Sequence, residues 1–150
     1  MLRQYRHSET QGIRGMKTSY WFGYKGEGRI GISRGVPRNS PAGFRLFKPL
    51  YPDADMLKMA KPEYDPRYEA ILARLDPQAT WDELHKLAGG AEPVLLCWES
   101  LQKDGEFCHR TAVARWFERT LGHEVLEIQP TPRIATKKAA PPPAAEGSLI

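Results

Sequence analysis

Pro93-Val-Leu-Leu-Cys-Trp98, with Cys108-His-Arg110 and the stretch running on to Leu121, decides how this chain folds. The first segment is a continuous apolar run, the pattern of a strand covered on both faces, as strands of parallel sheets are. After a polar loop, Val113, Trp116, Phe117 and Leu121 recur at helical spacing. Residues 108–121 therefore read as a helix that Gly122 stops. Glu124-Val-Leu-Glu-Ile128 reads as a further strand. Strand, loop, helix and strand in that order predict a right-handed crossover. The fold expected is α/β, a three-layer sandwich with a mainly parallel sheet in a single domain.

Outward from that core, Thr18-Ser-Tyr-Trp-Phe-Gly-Tyr24 is aromatic and β-favouring and predicts a strand. Gly26 and Gly28 mark a turn, and Arg29-Ile-Gly-Ile-Ser33 predicts a second short strand. Pro37, Pro41 and Gly43 make the next stretch a loop. Asp53 or Asp55 is placed to cap a short helix through Met59. Asp65-Pro66 has the form of a cap followed by a first-turn proline, with Tyr68, Ile71, Leu72 and Leu75 on one face until Asp76-Pro77. Thr80 with Glu83 makes a capping-box pair for a helix carrying Trp81, Leu84 and Leu87, stopped by Gly89-Gly90. Residues 1–15 read as a flexible leader and 16–128 as the α/β domain. Residues 129–150 read as a disordered Pro/Ala/Lys tail with too little to bury.

No apolar run approaches the roughly 20 residues that span a bilayer, so no membrane partner is expected. The polar start has no apolar signal region, and two cysteines make no disulfide framework; a cytoplasmic location is the expectation. The net charge of +4 is unevenly spread. Residues 1–50 hold ten Lys/Arg and two acidic residues, whereas 51–127 hold nine and fifteen. A basic third on an acidic body is suited to phosphate groups or nucleic acid, or is simply a set of solvated loops.

Ligands of open parallel sheets bind beyond the carboxyl ends of the strands. Two segments fall there: Ser33-Arg34-Gly35, and Cys97-Trp98-Glu99 with the loop that delivers Cys108-His109-Arg110 to a helix start. A helix start attracts anions and favours a thiolate, and Arg34 and Arg110 are suited to bidentate contacts with phosphate or carboxylate. The plain alternative is that Cys97 and Cys108 pack in the core, with Glu99, His109 and Arg110 in solvated or ion-paired roles. The ten-residue gap between the cysteines is not a zinc-ribbon or knuckle spacing, so no metal and no other cofactor is expected. Neither cysteine has an arginine six residues later, as a cysteine phosphatase would, and no glycine-rich phosphate loop is present.

Val94-Leu-Leu-Cys-Trp-Glu99, then Phe107-Cys-His-Arg110 and Val113-Ala-Arg-Trp-Phe117, resemble the domain-of-unknown-function family 488 (DUF 488). Ile30-Gly-Ile-Ser-Arg-Gly-Val-Pro37, Pro49 and Asp55-Met-Leu-Lys58 add to the likeness, as do Tyr64, Tyr68 and Gly122 to Glu127, in order over residues 17–128. The resemblance implies a Rossmann-like fold and a site of Cys97, Glu99, Cys108, His109 and Arg110. Ile32-Ser33-Arg34 stands where many members end a strand in Asp-x-Arg, which resembles a Ser-Arg subgroup.

The leading expectation is an enzyme acting on a nucleotide or a nucleic-acid base. In it Cys108, or Cys97, is the nucleophile, Glu99 the general acid/base and His109 its proton partner. Arg110, Arg34 and Ser33 bind the phosphate, and Tyr20, Trp21 and Trp98 are available to stack on a base. A non-catalytic protein that senses or sequesters a phosphorylated small molecule would use the same pocket. A nucleic-acid accessory protein would use the basic N-terminal third.

Overall fold

Lys17–Tyr20 (β1), Arg29–Gly31 (β2), Arg45–Leu46 (β3), Val94–Cys97 (β4) and Leu126–Glu127 (β5) pair side by side, all parallel, in one sheet. Their order is β3-β2-β4-β1-β5, which puts the apolar run at the centre. The computed structural model describes residues 14–98 and 108–128. The expected tail, most of the expected leader and the 99–107 loop, with Glu99, lie outside the described residues.

The described residues also form three α-helices, Lys61–Ala73 (α1), Pro77–Ala88 (α2) and His109–Leu121 (α3). The chain is thus an α/β protein with a parallel sheet. Side-chain alternation along the strands divides the core in two. Leu95, Ile30, Ile32 and Met16 join one cluster with the buried residues of all three helices, among them Tyr68, Leu72, Trp81, Leu84, Val113 and Phe117. Val94, Leu96 and Trp21 form a second, packed against Tyr24, Val36, Phe44 and Ile128. The helices lie on one face and the opposite layer, among the described residues, is built from loop side chains. Both Leu95 and Leu96 are fully buried, each worth about 1.5–3 kcal/mol in transfer free energy. Trp21 approaches so closely that a Cβ at Gly31 would run into its ring, which is why β2 carries a glycine there.

Several boundaries differ from expectation. The first strand ends at Tyr20, the second at Gly31, and the last is only Leu126–Glu127, because in each case pairing partners run out. β3 falls in the stretch expected to be a loop; it is two exposed residues with no apolar pattern to betray it. The short helix expected near Asp53 is a 3-10 turn, Ala54–Lys58, with Asp53 as its N-cap. α1 opens at Lys61, with Pro62 in its first turn, and carries Pro66 inside. α2 opens at Pro77, where the Asp76 carboxylate accepts from the Ala79 N–H at 2.9 Å, so the predicted capping residue Thr80 lies within the helix and buried. Among the described residues no helix is long and apolar enough to cross a membrane.

The topology sets where a ligand would enter. β1 and β2 run into loops that supply Trp21, Tyr24, Val36 and Phe44 to one face, whereas β4 is continued by α3 on the other. Neighbouring strands whose continuations part to opposite faces leave a crevice beyond their carboxyl ends. Cys97 is the last residue of β4.

Candidate functional site

Cys97 ends the central strand and Cys108 is the N-cap of α3, and the two sulfurs are joined as a disulfide across 11 positions of sequence. Their Cα atoms are 7.0 Å apart. Alternation puts Cys97 on the same face as Leu95, towards the helices, which is where α3 begins. Both residues are buried.

His109 follows on the first turn of α3 and is buried as well. Its Nε2–H donates to the Ile32 carbonyl at 2.6 Å, and its Nδ1 stands 3.9 Å from Cys108 Sγ. Tyr68 holds the ring from the side, with ring centres 5.1 Å apart, and is itself fixed by donating to the Leu50 carbonyl at 2.6 Å. Burial pushes the imidazole pKa down to about 4; the Ile32 hydrogen bond opposes this and the Arg110 charge adds to it. At neutral pH the ring is therefore uncharged, and with the proton on Nε2 its Nδ1 lone pair faces the sulfur.

Arg110 is fully buried. Its Nε and Nη2 donate to the two Glu127 oxygens at 2.9 and 2.8 Å, a bidentate pair, and its Nη1 lies 3.2 Å from Cys97 Sγ. Thr18 donates to the same carboxylate at 2.6 Å, and the Tyr20 ring covers the guanidinium with its centre 6.0 Å away. The arginine expected to grasp a ligand's phosphate thus has a carboxylate of the protein in its fork, and its Nη1 lies against sulfur. Glu127 was visible in the sequence only as part of a strand. The signal that would have found it is a carboxylate at the end of a strand beside β1, where the sheet points its ligands.

The structure brings Cys97, Cys108, His109 and Arg110 together and leaves the other two described candidates apart. Ser33 lies on the face of Trp21, accepting from the indole N–H at 3.0 Å and donating to the Gly35 carbonyl at 3.0 Å. Arg34 is exposed and donates to the Pro52 carbonyl at 3.2 Å. Of the aromatic candidates, Trp21 is buried, Tyr20 covers Arg110, and Trp98 is 42% exposed, edge-on to Phe22 with ring centres 6.0 Å apart.

One sulfur each from Cys97 and Cys108 and one nitrogen from His109 lie within 4.8 Å of one another. Once reduced, these side chains are the donors that could hold a thiophilic metal ion; in this structure the sulfurs are bonded to each other. Part of the N-terminal positive charge is paired within the protein. Lys17 pairs with Glu92 at 3.0 Å, Arg14 with Asp82, and buried Arg29 donates to the carbonyls of Gly26, Pro41 and Ala42. Compared with protein-family models, curated proteins and solved structures, the chain finds no match.

Proposed function

We propose that this protein is a thiol-dependent enzyme acting on a nucleotide or a nucleic-acid base, with Cys108 of the reduced protein as its nucleophile. The observation that carries this reading is the placement of the His109 ring between the Ile32 carbonyl and Cys108 Sγ. A ring nitrogen fixed on the Ile32 carbonyl leaves the other, unprotonated, facing Cys108 Sγ at 3.9 Å. Nucleophile, base and a group that orients the base form the usual arrangement for covalent catalysis. The start of α3 favours negative charge on the Cys108 sulfur. Burial works against a lasting imidazolium, so the thiol proton moves to Nδ1 as the sulfur attacks and leaves again with the departing group. Arg110, locked on Glu127, positions Cys97 beside the nucleophile.

The nucleotide class is supported by the exposed Trp98 and Phe22 at the adjoining ends of β4 and β1, an apolar surface suited to a base. The resemblance to DUF 488 falls on the same residues. The reading requires surroundings that keep thiols reduced, as the cytoplasm does. After reduction, iodoacetamide should label Cys108 faster than Cys97 at pH 7, with His109→Ala slowing the Cys108 reaction at least tenfold. Cys108→Ser should abolish turnover in a screen of nucleotides and bases. Labelling of Cys108 that ignores His109→Ala would sink the proposal.

A further inference from the structure

We propose that a cleft beside the His109 supports binds the phosphate of a nucleotide-sized monoester through Arg34, Lys48 and Arg74. The cleft has a volume of about 470 Å³ and is lined by these three cations together with Tyr51, Asp53 and Ile71. Small-molecule sites commonly occupy about 300–1,000 Å³, so a nucleoside monophosphate fits.

Charge is the first argument. Among the described residues, no acidic side chain pairs with Arg34, Lys48 or Arg74. Asp53 is the one acid in the lining, and its Oδ2 accepts from Arg67 at 3.3 Å. The cleft therefore carries a positive excess that the protein itself does not answer. Arg34 is also oriented: Nη1 on the Pro52 carbonyl fixes the guanidinium and leaves its other nitrogens for a bidentate anion contact. Tyr51 and Ile71 give the non-ionic part of a ligand something to lie against.

Position is the second. Arg34 comes two residues after Ile32, whose carbonyl holds His109. Ile71 stands one helical turn beyond Tyr68, whose ring packs on His109, and Tyr51 follows Leu50, whose carbonyl fixes Tyr68. The same segments that hold the imidazole thus form the walls of the cleft. This inference deepens the enzymatic reading and rests on it only for the claim that the ligand is the substrate.

Titration calorimetry on the full chain, at low salt, should compare adenosine 5′-monophosphate with adenosine and with inorganic phosphate. The monophosphate should bind at least tenfold more tightly than the nucleoside. Arg34→Ala and Arg74→Ala, both at exposed positions, should each weaken it at least tenfold while leaving the thermal transition in place. Equal binding of monophosphate and nucleoside, no binding of either, or affinity indifferent to both arginine variants would overturn the proposal. Arginine-dependent binding in a protein whose thiol chemistry fails its own test would uphold the cleft and reject the enzyme.

Discussion

His109 shows how one buried ring can tie a helix start to a sheet. It joins the start of α3 to the end of β2 through the Ile32 carbonyl, and burial, which lowers its pKa to about 4, keeps it uncharged there. The sign of the consequence is definite. In the unfolded chain the ring takes a proton below its ordinary value of 6.5, whereas the folded protein resists until about pH 4. Between those values the unfolded state binds more protons, so stability falls as the pH drops through the window and is fully present above it. The gap is worth about 3 kcal/mol at most. Urea midpoints for the parent and His109→Gln, taken between pH 7 and pH 4.5, should converge as the pH falls. Parallel curves would mean that the imidazole is not held neutral. Arg110 carries the complementary lesson: its type and position at a helix start were legible as an anion site. Its anion is Glu127, seventeen residues on, and nothing local in the sequence announces that pairing.

At the level of elements, α2 isolates the contribution of a single cap. Asp76-Pro77 was legible as the end of the preceding helix, yet it also starts the next: the carboxylate accepts from the Ala79 N–H, and Pro77 occupies a first-turn position where no donor is needed. Asp76→Ala should cost about 1 kcal/mol, read as a lower denaturant midpoint with unchanged slope; an unaltered midpoint would return the cap to Thr80. The elements that were readable are those whose pattern reports burial, namely the Val94–Cys97 run and the stripe of α3. The stop at Gly122 was readable too, since its φ of 76° suits glycine. β3 was not, because two exposed residues paired by backbone alone leave no side-chain signature. The site was half legible for a similar reason. Residues at strand and helix ends could be placed by topology, but Ser33 is turned to the Trp21 face by the alternation of β2, which a short mixed strand does not reveal in advance.

For the whole molecule, the Cys97–Cys108 bond ties the end of the central strand to the start of the helix that carries the chain to β5. Joining residues 11 apart removes loop freedom from the unfolded chain, and a link of that span is worth about 3 kcal/mol on the chain-entropy account. The reduced protein should therefore be the less stable form. Dithiothreitol should lower the denaturant midpoint by the equivalent of that amount in the parent. It should leave Cys97→Ser, which has no bond to lose, where it was. Because the rest of the sheet pairs through backbone contacts that reduction does not touch, the transition should stay cooperative and the circular dichroism of the folded state should not change. A parent protein whose midpoint ignores dithiothreitol would show that the two thiols remain separate in solution.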